Sequence, residues 1–120
     1  MGNKVTKVKR YILRFRAANR DFFEAIKKGA KKVETRAATV KYKDIKPGDI
    51  IEFVCGKDRF QKIIKHATVF KSVSAMLKKH KFIDIMPQVT SVKGLEDAYK
   101  SFPNYSDKIK KFGIIALEFE

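Results

Sequence analysis

The sequence predicts a small α+β fold, a curled mixed sheet or β-barrel with short helices between its strands. Three observations predict it. Five segments carry strand patterning and are interspersed with short helical ones. Two of the middle strands are joined by a tight turn, so they pair antiparallel, which argues against a doubly wound parallel sheet. Finally, 120 residues of which 44% are hydrophobic suffice for one core, whereas two domains would divide it too thinly.

The elements follow in order. Between Val8 and Phe15 the residues Tyr11, Leu13 and Phe15 alternate with Ile12, Arg14 and Arg16, the period of a strand with one more polar face. Asn19 has the chemistry of a helix N-cap, and Phe22, Phe23 and Ile26 fall at helical spacing. Gly29 then supplies a stop behind Lys27 and Lys28, whose charges suit a helix C-terminus. Lys32 to Arg36 reads as a second strand, with Val33, Thr35 and Ala37 on one side and Lys32, Glu34 and Arg36 on the other.

Lys46-Pro47-Gly48-Asp49 predicts a type II turn, with Pro at its second position and Gly at its third. It launches a strand over Ile50 to Val54. Gly56-Lys57-Asp58-Arg59 turns the chain into the β-branched run from Lys62 to Phe70, and Ile50 to Phe70 is therefore a hairpin. Ser72 or Ser74 caps a short helix reaching His80. The apolar piece Phe82 to Met86 ends at Pro87 and reads as irregular or 3₁₀. Ser91 caps a helix through Leu95, Ala98 and Tyr99, and Gly113 to Phe119 forms the last strand. No repeat or linker interrupts the chain, so residues 1–120 read as one domain with residues 1–8 as a basic tail.

Charge narrows the function. The chain carries 28 Lys and Arg against 13 Asp and Glu, a net charge of +15 that folding does not require and that mildly opposes compaction. Residues 1–50 hold 15 of the basic residues and only 5 of the acidic ones. With so few acids most cations cannot be paired internally, so a surface ion-pair network does not account for them, and a polyanionic partner does. Cys55 is the single cysteine, which excludes an internal disulfide, and with only His66 and His80 beside it no structural zinc spacing arises. No metal and no cofactor is expected. Neither a signal-peptide pattern nor a run of 18 apolar residues occurs, which predicts a cytoplasmic protein with no membrane partner. Met1, Gly2 and Thr6 satisfy the loose myristoylation pattern, which a plain basic tail also produces.

Lys31, Glu34 and Arg36 are the residues whose chemistry stands out. Glu34 and Arg36 are two apart on a strand and leave the same face, and Lys31 lies just past Gly29, where the missing side chain lets other groups near the backbone. Such a trio can bind a nucleotide: Arg36 forks onto a phosphate or base edge, Lys31 adds a point charge, and Glu34 accepts from an exocyclic amine. It can also do acid–base chemistry through a lysine of lowered proton affinity, or simply form an ion-pair ladder.

Together with the helix before it, the run Gly29-Ala30-Lys31-Lys32-Val33-Glu34-Thr35-Arg36, then Ile45 to Phe53 with its Lys-Pro-Gly-Asp turn, then Tyr105 ahead of Phe112 to Leu117, resembles the ASCH (activating signal cointegrator homology) domain of the PUA-like superfamily. The resemblance runs from about Tyr11 to Phe119. It implies a small mixed β-barrel of five or six strands with two or three short helices, a cleft beside the helix-to-strand junction, and RNA binding or RNA-related chemistry.

One bacterial group in that superfamily hydrolyses acetylated cytidine with a Lys and a Thr from this junction and a later Glu. Lys31 matches the Lys; Glu34 stands in place of the Thr, and Asp84 is the acid on offer after His66 and before the last helix. The resemblance thus implies RNA or a modified nucleoside bound by Gly29, Lys31, Lys32, Glu34 and Arg36, with Arg14, Arg16, Tyr42 and Lys43 around them. Its alternatives are an amidohydrolase using Lys31 and Glu34, and a metal-free ribonuclease to which His66 contributes. Tyr42 and Tyr105 are candidates for base stacking, against anchoring a loop and filling the core. His66 reads as a strand histidine in apolar company, and His80 as a surface residue among lysines. Phe22, Phe23, Phe53, Phe70 and Phe119 belong in the core. No obligate protein partner is inferred.

Overall fold

The computed structural model describes residues 7–120. The myristoylation pattern and most of the basic tail lie outside them. Strand β1 (Arg10–Arg14) leads through a 3₁₀ turn at Ala17–Asn19 into helix α1 (Arg20–Lys28), then β2 (Val33–Ala37), β3 (Ile50–Cys55) and β4 (Asp58–Phe70). Four helices follow, α2 (Val73–Met76), α3 (Phe82–Ile85), α4 (Val92–Ser101) and α5 (Tyr105–Phe112), before β5 (Ile114–Phe119) closes the chain.

The α+β class and the mixed sheet are as expected, but the sheet is open. Its order is β1-β3-β4-β5-β2, with β1 parallel to β3 and every other pair antiparallel, so that β1 and β2 stand at its two edges. The sheet curls because β4, 13 residues long, pairs with β3 by its first half and with β5 by its second, and a bulge between Ile64 and His66 bends it there. Curling brings the edges close enough for the Arg36 guanidinium on β2 to reach the Arg14 carbonyl on β1, 3.4 Å away. A side chain thus spans the seam that a barrel would close with a backbone ladder.

Several local expectations hold for the stated reasons. Gly29 ends α1 in the left-handed conformation, at φ 85°. Gly48 has φ 92°, and the Asp49 amide donates to the Lys46 carbonyl, as a type II turn requires. Ser72 and Ser91 cap α2 and α4 by accepting from Ala75 and Gly94. Asn19 does not cap α1: its side chain makes no cap bond, because the 3₁₀ turn already carries the chain into the helix. Phe82 to Ile85 is a single helical turn, not irregular chain.

The helix count was underestimated, and α5 is the main omission. Ile109 is its buried residue, Lys110 and Lys111 occupy its last turn, and Gly113 ends it. Two cores result. Leu13, Phe23, Ile26, Ile51, Phe53, Ile64 and Leu117 fill the space between α1 and the curled sheet, with Phe119 half-buried against them. Val33, Met76, Ile85, Leu95, Tyr99 and Ile109 pack where α2 to α5 cover β2 and β5, with Phe22 and Phe70 half-buried at their margin.

Candidate functional site

Helix α1 ends at Gly29, and the chain re-enters the sheet at Val33 with Lys31 turned inward. Lys31 is only 3% exposed and Glu34 5%, so both charges are buried. Their company explains why that is tolerated. The Lys31 ammonium donates to the Val33 carbonyl at 2.8 Å and to the Ile85 carbonyl at the end of α3, and stands 3.3 Å from Glu34 Oε1 as an ion pair. Two of its three N–H groups are thus bonded to carbonyls, and the carboxylate balances its charge.

Glu34 is engaged through both oxygens. Its Oε1 accepts from the Thr35 amide at 3.1 Å and lies beside Lys31, while Oε2 accepts from Arg36 Nε at 3.2 Å and lies 3.2 Å from Nη2 as an ion pair. Arg36 differs from its neighbours. The faces of its guanidinium lie near aromatic rings, 4.9 Å from the Phe15 centroid and 5.9 Å from that of Tyr42, while Nη1 has no partner among the described residues. No buried side-chain nitrogen or oxygen among those residues lacks a partner; Nη1 is therefore in contact with solvent.

These heads meet at one cavity of about 230 Å³, lined also by Arg14, Phe15, Arg16, Asn19, Phe22, Thr35, Met86, Tyr99, Phe102, Pro103 and Tyr105. The Tyr99 and Tyr105 rings stack nearly parallel, 5.8 Å apart, and the Tyr105 hydroxyl donates to the Thr35 carbonyl. The hydroxyls of Thr35 and Tyr99 bond each other. Burial raises the pKa of both phenols well above the usual range. Burial also lowers that of Lys31, against the pull of Glu34 and with a further push from Arg36.

The sequence-derived candidates divide. Lys31, Glu34, Arg36, Arg14 and Arg16 come together at this cavity. Gly29 and Lys32 line a separate hollow of about 330 Å³, with Lys31 forming part of both walls. Space around Gly29 is not what its glycine provides, since a Cβ there would meet nothing within 4 Å; its positive φ is. Tyr42 touches the site only through Arg36, and the exposed Lys43 is not among the residues lining the cavity.

Asp84, His66 and His80 line another groove with Lys79, Lys81 and Glu118, and Asp84 and His80 also line the hollow of Gly29, Lys31 and Lys32. His66 is exposed on β4 rather than enclosed by apolar neighbours, and His80 is half-buried with its ring edge-on to Phe70. Phe22 leaves the core far enough to line the cavity. Thr35, Tyr99 and Phe102 were not anticipated as lining residues. Their helical or strand placement was readable, but nothing local says that α4 folds over β2. Among the described residues no group of three His, Cys, Asp or Glu side chains could hold a metal ion, and no helix is long and apolar enough to cross a membrane.

An α+β domain with an open curled sheet and a polar cavity at the α1–β2 junction is thus the class of molecule. The ASCH domain family model matches residues 19–120, and the chain belongs to that family. The hypothetical protein PH0355, in its crystal structure, is similar over 92% of this chain and 97% of its own, with 31% identity and a TM-score of 0.75. Protein PF0455 from Pyrococcus furiosus, solved by NMR in solution, is similar over 92% of this chain and 96% of its own, with 32% identity and a TM-score of 0.71. No curated protein matched.

Proposed function

We propose that this ASCH domain binds single-stranded RNA, taking one nucleobase into the cavity at the α1–β2 junction while basic side chains on its rim hold the flanking phosphates. The observation that carries the reading is Arg36, fixed by Glu34, backed by Phe15, and left with Nη1 open to solvent at an aromatic-walled hollow. About 230 Å³ is below the roughly 300–1,000 Å³ of pockets for drug-sized ligands and suits one nucleobase. Arg14 and Arg16, both exposed, stand at the same cavity, and the net charge of +15 favours a polyanion over a neutral metabolite.

The hydrolytic alternatives find less support. A buried ammonium that donates to two carbonyls and pairs with Glu34 has no lone pair to offer as base or nucleophile, and a carboxylate held by the Thr35 amide and two cations is poorly placed to move a proton. Asp84, the later acid, does not line this cavity and shares with Lys31 only the separate hollow beside Gly29. Fluorescence anisotropy with labelled single-stranded RNA tests the proposal: Arg36→Ala weakens binding at a temperature where circular dichroism shows the variant still folded. Equal affinity of the two proteins would refute it.

A further inference from the structure

The free hydrogen-bonding groups of the cavity suit one kind of base edge over the other, an inference that rests on the base-binding reading above. Glu34 accepts hydrogen bonds from the Thr35 amide and Arg36 Nε and is in ion-pair contact with Lys31 and Arg36 Nη2. Four nitrogens around its two oxygens leave little room for an incoming amine. Lys31 donates to the Val33 and Ile85 carbonyls and is paired with Glu34. Among the charged groups a donor remains: the two N–H groups of Arg36 Nη1, on a guanidinium whose orientation Glu34 fixes and whose Nη2 also reaches the Arg14 carbonyl. The neutral Asn19 amide, which also lines the cavity, can both donate and accept and so sets no preference. The hydroxyls of Thr35 and Tyr99 bond each other. One of them must donate to the other, which leaves the second with a hydrogen to give. Their oxygens can still accept, but as neutral groups they make weaker bonds than a charged partner does.

From this we infer that the cavity selects keto bases over amino bases, taking guanine by O6 or uracil by O4 and disfavouring adenine and cytosine. At the equivalent edge the last two present an exocyclic N–H₂, which would set donor against donor at Arg36. On this reading Glu34 positions Arg36 and does not itself accept from an exocyclic amine. Aromatic walls alone give a different order. Phe15, Phe22 and Phe102 offer stacking surface to any base, and stacking without hydrogen-bond readout favours the large purine adenine at least as much as uracil.

The test uses the full chain and four labelled RNA octamers, an all-adenosine strand and the same strand with G, U or C at one central position, titrated by anisotropy at one salt concentration. The G and U strands are expected to bind about fivefold or more tightly than the A and C strands, the low end of what one good base contact discriminates. Arg36→Lys, which keeps the charge but not the fork, is expected to retain general affinity and lose the preference. Equal affinity for the four strands, or tightest binding of the all-adenosine strand, overturns the inference.

The two levels fail differently. If Arg36→Ala weakens all four strands alike and the parent shows no preference, base binding stands and keto selection falls. If Arg36→Ala leaves all four unchanged, both fall. Displacement of the U strand by inorganic phosphate as readily as by uridine would make the hollow an anion cradle, and that also overturns the keto assignment.

Discussion

Arg36 hangs from a single oxygen of Glu34, its Nε and Nη2 both 3.2 Å from Oε2, while the other carboxylate oxygen holds Lys31 at 3.3 Å. One buried anion therefore compensates two cations, one of them fully enclosed. Removing its charge leaves both without their counterion in a low-dielectric site, and breaking a buried pair in this way costs about 3–5 kcal/mol. Glu34→Gln is expected to lose that much in urea-induced unfolding, with the midpoint moving and the slope of the transition unchanged. A loss below about 1 kcal/mol, the level of an exposed pair, would show that the trio is solvated.

How much of this was legible from residues alone differs between the two halves of the site. Gly29, Lys31, Glu34 and Arg36 lie within eight positions, and the strand period already placed Glu34 and Arg36 on one face. Spacing could not show that the face turns inward. It does so because the sheet curls and brings Arg14, Phe15 and Tyr42 against Arg36, while α3 supplies the Ile85 carbonyl that accepts from Lys31 and α4 the Tyr99 hydroxyl that meets Thr35 on the other face of the strand. Those partners lie 54 and 64 residues further along the chain, beyond any local pattern. Likewise the hairpin of β3 and β4 was readable from its turn, whereas the parallel pairing of β1 with β3 joins strands with no turn between them. Helix α5 escaped notice because no side chain caps its start, where Asn104 sits at φ 60°, so the usual sequence signal is missing.

The stacked tyrosines give stability an alkaline limit. Burial holds the phenols of Tyr99 and Tyr105 above the ordinary value of 10.0, so above that pH the unfolded chain loses protons that the folded one keeps. The folded state then binds more protons, and stability falls with rising pH, by about 1.4 kcal/mol per pH unit for each phenol concerned. Lys31 works in the opposite sense. Its lowered pKa means that below the ordinary 10.5 the unfolded chain binds the extra proton, so its contribution improves as pH rises toward that value. Unfolding midpoints are therefore expected to hold or rise up to about pH 10 and to drop beyond it. In Tyr105→Phe the drop is shallower, although the lost bond to the Thr35 carbonyl lowers stability at every pH.

At Gly113 the demand on the backbone is steric as well as torsional. Its φ of 84° with ψ of −174° is a conformation that side chains avoid, and a Cβ there would stand 2.6 Å from the Phe70 carbonyl oxygen. The neighbouring strand cannot yield without breaking the pairing of Phe70 with Ile114. Gly113→Ala is expected to destabilise by about 2–4 kcal/mol, the conformational cost of such a residue plus the displaced contact. Gly29→Ala, at a position with open space around it, is expected to cost less, about 1 kcal/mol from the left-handed conformation alone. Thermal unfolding of the two variants side by side separates the two contributions.

Arg14 and Arg16 flank Phe15 at the cavity's rim and are exposed, so they are free to meet phosphates without first being desolvated. Each phosphate neutralised on a single strand adds about 0.7 to the slope of log affinity against log salt. Replacing both by Ala is therefore expected to lower that slope by about 1.4, with every RNA weakened to a similar degree and any base preference preserved. Arg36→Ala is expected to behave in the complementary way, because one of its faces lies against Phe15 and its bonds to Glu34 hold it in place: its loss removes base discrimination and changes the slope by less than the double replacement does. Measuring affinity at several salt concentrations for the parent and both variants distinguishes the two roles. Equal effects of the rim and Arg36 replacements on slope would mean that all three arginines act only as positive charges.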